Sequence, residues 1–265
     1  MTRFHRPWLD RRVKAAWRKL KGTCCVVVWV LVAGCAAEGA GCLDALGERS
    51  TDTIAIAALP DRLEVMDRVE VHWWPSDSAS MAVRHAWQGT LDGLSITEGD
   101  GVLRIEDRNT CGWVRRLDAV PRVDLHGISP SEVLLESHAD FVMESAYSSG
   151  DLFVEGDEMS GHLHLSFAGD SLKLRLPNGI GHASVEGSAL RFSTFRSGFG
   201  DLDATELDAD RVLAHHAGIG VMRLRPESYL YLELSGAGQV HLYGESDQRD
   251  IVIGPDATGE IIDHP

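Results

Sequence analysis

Three sets of residues have types and spacings that could do chemistry. His162 and His164 lie two apart and His215 and His216 are adjacent in a later segment, so imidazole ligands for a zinc ion are at hand. A zinc site needs at least three converging ligands and hydrogen bonds behind them. The spacing supplies no such convergence, so solvated strand histidines and no metal are expected. Asp201, Asp203, Glu206, Asp208 and Asp210 alternate with Leu202, Ala204, Leu207 and Ala209. Clustered carboxylate oxygens suit calcium, but this spacing matches no tight calcium loop and reads as a solubilising face. Trp73 with Trp74, and Tyr229 with Tyr231, carry rings whose apolar faces can stack on sugars. A period of two sends Trp73 and Trp74 to opposite sides of a strand, so only one of them is free to do so, and packing is the expected role of these rings. Gly-x-Ser-x-Gly, phosphate-loop and dinucleotide fingerprints are missing, so no catalytic residue and no cofactor are expected.

The thiols suggest a location. Residues 1–34 begin with eight basic side chains opposed by Asp10 and continue into an apolar run from Cys24 to Ala33. Ten residues rising about 1.5 Å each fall short of a hydrocarbon core of about 30 Å, so a cleaved export signal is the better reading. Val32-Ala33-Gly34-Cys35 resembles the bacterial lipobox, in which the cysteine is diacylated and becomes the mature N-terminus. Cys35 is therefore the expected lipidation site. With Cys24 and Cys25 removed, Cys42 and Cys111 remain, and in an oxidising envelope the two form a disulfide or stay as separate buried thiols. A bridge would close a loop of roughly 70 residues and stabilise the fold by about 4 kcal/mol.

Charge narrows the partners. The whole chain carries −15, and loss of a leader worth +7 leaves −22 on residues 35–265. Such a surface repels nucleic acid and anionic headgroups, so nucleic acid is excluded as a partner and the lipid holds the protein to the membrane.

The elements that must position these groups are strands. Residues 35–52 are small, polar and Gly-rich and read as a tether, while 53–125 hold short alternating runs separated by Asp-Gly turns. Further on, alternating apolar runs meet Gly-x-Gly elbows at Gly179-Ile180-Gly181, Gly198-Phe199-Gly200, Gly218-Ile219-Gly220 and Gly236-Ala237-Gly238. The last three begin 20 and 18 residues apart. A period near 20 with side chains alternating every two residues is that of a β-solenoid coil, with glycine at corners where backbones turn and approach closely. Further elbows at Gly169 and Gly187 predict a turn about every ten residues, hence two sheets and two corners per coil. Coils are expected over 126–262, six or seven of them, in a single domain spanning 53–262 whose residues 53–125 cap the first coil. The far end is weakly protected, which predicts association of two copies there.

The chain resembles the bacterial head GIN domain family, described as autotransporter adhesins and often lipoproteins of Gram-negative bacteria, especially Bacteroidetes. The likeness rests on Gly101-Val-Leu-Arg-Ile-Glu-Asp-Arg-Asn-Thr-Cys111-Gly-Trp113-Val-Arg115 and on the Ser-Gly-x-Gly elbows at Ser197 and Ser235. Ala217-Gly218-Ile219-Gly220 departs from the family's Ser-Gly-Ser-Gly-Asp. The resemblance implies an all-β, right-handed solenoid like that of pectin lyases, with no established catalytic residue. It also implies a lipid-anchored envelope protein, at the periplasmic or outer face of the outer membrane, that binds a glycan or an envelope protein. A polysaccharide-active enzyme and a purely structural envelope component are the alternatives.

Overall fold

The computed structural model describes residues 47–57, 59–76, 78–109 and 120–264. Cys35, Cys42, Cys111 and Trp113 lie outside the described residues. Among those described, seventeen strands form one hydrogen-bonded sheet, and the only helical element is a 3₁₀ turn at Leu91–Gly93. No helix among them is long and apolar enough to cross a membrane.

The sheet winds into a β-solenoid because period-two alternation is kept in register from coil to coil. Four long strands make its centre: β11 (His162–Leu176), β12 (His182–Arg196), β13 (Leu202–His216) and β14 (Val221–Leu234). Each pairs in parallel with the next, so Leu163 lies beside Ala183, and Leu172 beside Phe192 and then Val212. Leu163, Leu165 and Phe167, then Leu172, Leu174 and Leu176, point inward and are buried. Fully burying a Leu, Val or Phe side chain stabilises by about 1.5–3 kcal/mol, and each level repeats this, so the ladder of inward side chains is the core.

Each long strand covers two faces. Its N-terminal half lies on what we call the second face and its C-terminal half on the first face. Gly169 and Gly187, expected to be turns, are bends inside continuous strands, with Gly169 beside Ala189 and Phe167 beside Gly187. The Gly-x-Gly corners interrupt the ladder, and register shifts fall between Ser184 and Glu186 and between Ala204 and Arg211. The stack then ends with β15 (Gln239–Tyr243), β16 (Gln248–Ile253) and β17 (Glu260–His264), β16 lying on the first face beside β14 and β17 on the second beside β15. From β8 (Glu132–Ser137) and β9 (Phe141–Met143), through β10 (Asp151–Gly156), to β17 the chain makes about seven turns.

The stack also extends further back than the glycine repeat indicates. β2 (Arg62–Asp67) and β3 (Glu70–Trp74) pair in parallel with β8 and β9 and form a level of their own. On their other side lie β6 (Val102–Asp107) and β7 (Arg122–His126). Chain order and stack order therefore differ, since 62–74 sits between 102–126 and 132–143. Antiparallel strands close this end: β5 (Leu94–Gly99) covers β6, while β4 (Met81–Trp87) covers β7 and is itself flanked by β1 (Arg49–Ala55). Residues before Leu125 thus cap the solenoid and also build part of it.

At the other end, inward positions change character. Arg249 lies beside Leu230 and Asp263 beside Leu242, so both occupy core-facing places, and their side chains form an ion pair. Arg249 also donates to Ser246 Oγ at 3.0 Å and Gly244 O at 2.8 Å. Ile251 and Ile253 continue the inward columns of Leu232 and Leu234 but stand 41% and 62% exposed.

Candidate functional site

The Gly-x-Gly corners stack into one edge. Phe199 N donates to Gly179 O (3.0 Å), Ile219 N to Gly198 O (2.9 Å) and Ala237 N to Gly218 O (3.1 Å), so each corner hangs on the previous one. The first glycine of the pair at 198 has φ +98°, a region closed to most residues. For the second glycine the reason is proximity, because a Cβ on Gly220 would stand 1.8 Å from Gly200 O. The residue between the glycines projects outward, leaving Ile180, Phe199 and Ile219 exposed along this edge.

Beneath the corners two polar side chains occupy core positions. Leu176, Arg196, His216 and Leu234 follow one another in register. Arg196 donates to Gly200 O (2.7 Å) and Gly181 O (2.8 Å), and His216 Nε2 donates to Gly220 O (2.9 Å), so they satisfy inward-turned corner carbonyls. Burial pushes the Arg196 guanidinium down to about 10, still protonated at neutral pH. Burial, with a further contribution from the Arg196 charge, lowers the His216 pKa. The folded state therefore favours neutral His216, while the unfolded chain takes up a proton as pH falls below about 6.5. Stability contributed by neutral His216 is complete above that pH and declines below it by at most about 1.4 kcal/mol per pH unit, until the lowered folded-state pKa is reached. Urea unfolding at pH 7.5 and 5.0 tests this. His216→Leu, which leaves Gly220 O without its donor, should be the less stable protein at pH 7.5, and the gap should narrow at pH 5.0. A constant gap would remove the assignment.

The second face carries most of the outward imidazoles. His162 stacks on His182 (5.7 Å) and His241 on His264 (5.0 Å). His72 lies between Glu70 (2.6 Å) and Glu144 (2.5 Å). Asp124 accepts from Arg122 and His85. Burial alone would raise its carboxyl, but these hydrogen bonds hold it below the usual range.

The first face is different. Its outward rows run Lys173, Ser193, Leu213, Tyr231 in one column and Arg175, Phe195, His215 in the next. They enclose a shallow depression of about 400 Å³ whose floor is the sheet backbone at Leu174, Thr194 and Ala214, their side chains turned into the core. Phe195 meets His215 edge-on at 5.1 Å, and the Arg175 guanidinium sits 6.0 Å from the Phe195 ring. In a third column Arg191 precedes Arg211, whose guanidinium lies 4.9 Å over Tyr229.

This two-faced stack with its corner edge has relatives. A family model described as "Putative auto-transporter adhesin, head GIN domain" matches residues 60–246. The chain belongs to this family. Solved structures share the fold at low identity. An adhesin-named protein from Bacteroides fragilis is 14% identical with a TM-score of 0.73, over 82% of this chain and 97% of that one. A Parabacteroides distasonis protein named as lipid binding is 17% identical with a TM-score of 0.60, over 83% of this chain and 98% of that one. A search among curated proteins gives no match.

In this head GIN domain the groups singled out by sequence separate. His162 and His164 face outward on the second face, His215 faces outward on the first, and His216 is buried, so the four do not converge. Among the described residues no group of three side chains could hold a metal ion. Three of the five members of the acidic run are committed locally: Asp201 accepts from Val221 N (2.8 Å), Asp203 from Thr205, and Asp208 faces Arg225 at 3.8 Å. Trp73 is buried, donates to Ile128 O (3.1 Å) and packs against Phe141 and Tyr147, whereas Trp74 stacks on His126 at 4.6 Å. Tyr229 and Tyr231 do face outward, on the first face. Lys173, Phe195, Leu213 and Arg211 escaped sequence reasoning. Their signal was the spacing near 20 that brings them into register with Tyr229 and Tyr231.

Proposed function

We propose that this head GIN domain is an adhesion or recognition module of the Gram-negative cell envelope, held to the outer membrane by lipid on Cys35 and performing no catalysis. The observation that carries the reading is the first face, where outward aromatic and cationic side chains from successive coils lie side by side on an open sheet. An open face of this kind suits attachment to an extended partner. The family description supports an adhesive role, and the lipobox-like Val32-Ala33-Gly34-Cys35 supports the anchor. Fractionation and surface proteolysis of intact cells test both parts. The native chain should sediment with outer membranes and be cut from outside, while Cys35→Ala should move to the soluble fraction. Full protection from external protease would end the adhesion reading, and membrane retention of Cys35→Ala would end the anchor.

A further inference from the structure

We infer that the depression on the first face binds an anionic saccharide chain, its rings resting on Phe195 and Tyr231 and its acid groups meeting Lys173, Arg191 and Arg211. The inference rests on the adhesion reading and names the ligand class. Three observations carry it. First, the patch runs against the charge of the molecule. In a chain of −15, Lys173, Arg191 and Arg211 are exposed on one face, Lys173 over the Phe153 ring and Arg211 over Tyr229, with Glu155, Glu233 and Asp250 at the margins of the same face, where Glu155 pairs with Arg175 and Asp250 accepts from Tyr229. Cations gathered on one side of an acidic protein steer anions to that side.

Second, the apolar part consists of two rings and one exposed leucine side chain. Phe195, Tyr231 and the 41%-exposed Leu213 surround the depression. A sugar presents an apolar C–H face that stacks on an aromatic ring, while its hydroxyl and acid groups stay at the rim. Third, the columns advance by one strand spacing, about 4.8 Å, per coil. That step is close to the length of a sugar ring in an extended chain, so consecutive sugars reach successive coils. Guanidinium groups of Arg191 and Arg211, one coil apart, provide paired donors for carboxylates.

Binding of full-length protein to immobilised polygalacturonate, with its fully methyl-esterified form as the uncharged comparison, tests this. Polygalacturonate should be retained, the ester should not, and retention should fall with added salt. Lys173→Gln combined with Arg211→Gln should weaken binding about tenfold or more, the factor that 1.4 kcal/mol represents. Tyr231→Ala should weaken it similarly, and Arg211→Lys should retain part of it. Arg225→Gln, which disturbs the pair with Asp208 outside the depression, should leave binding unchanged. Thermal unfolding of each variant separates lost binding from lost fold. Equal retention of acid and ester, indifference to these substitutions, no saccharide retained at all, or equal binding of polyglutamate or phosphatidylglycerol vesicles would each overturn the inference. Surface proteolysis reads the adhesion proposal independently, so the two can fail separately.

Discussion

Gly220→Ala should destabilise the protein by roughly 4 kcal/mol, at the upper end of single substitutions. The added Cβ would stand 1.8 Å from Gly200 O and 2.7 Å from its carbonyl carbon. Both atoms are backbone, so no rotamer relieves the overlap. Relief requires the two coils to part at the corner, which breaks Ile219 N to Gly198 O and disturbs Ala237 N to Gly218 O. The Gly220 carbonyl that accepts from His216 would move as well. Gly99→Ala makes the comparison, because a Cβ there meets nothing within 4 Å and the backbone has no positive φ. That substitution should change stability by no more than about 0.5 kcal/mol. Urea denaturation of both variants reads the difference. A Gly220→Ala protein as stable as the parent would show that these coils do not approach as closely as described.

Replacing Arg249 and Asp263 together by leucine should strengthen self-association at least tenfold. Among the described residues β16 pairs with β14 alone and β17 with β15 alone, and Ile251, Val252 and Ile253 are exposed beside those free edges. Such an edge is a template for another chain, and inward-pointing charge is a known way of blunting it. Arg249 and Asp263 hold two core-facing positions in the last coil, so a second copy docking there would have to bury both charges. With leucines in their place, the open end becomes a continuous apolar surface. Sedimentation velocity over a range of concentrations gives the association constant of each protein. Identical behaviour would mean that the ion pair does not restrain the end, and the exposure of Ile251 and Ile253 would need a different account.

The centre of the solenoid was legible because its signals are local. Leu163 to Leu242 alternate with period two, and the corners recur every 18–20 residues. The level formed by 62–74 was not legible, since its partners at 132–143 lie about 70 residues away and share no glycine corner with it. Gly169 and Gly187 looked like the other turns, yet strand pairing passes through them. His215 and His216 looked like one site, although period two sends them to opposite sides of the strand. The candidate site was visible only through its tyrosines. Each strand contributes one or two of its residues, and the patch emerges only when register brings Lys173, Phe195 and Tyr231 onto neighbouring coils.

The displaced level at 62–74 has a consequence for how the protein comes apart. In a simple solenoid the first coil in sequence is also the outermost, so tension or fraying at that terminus ravels the stack one turn at a time. Here the thread is tucked under itself: β2 and β3 are clasped by 102–126 on one side and 132–143 on the other. Loosening β1 frees a short outer strip and then stops at a knot-like hold. A pull applied ahead of β1 would therefore meet resistance as soon as that strip has come away, at strands held on both sides by other coils.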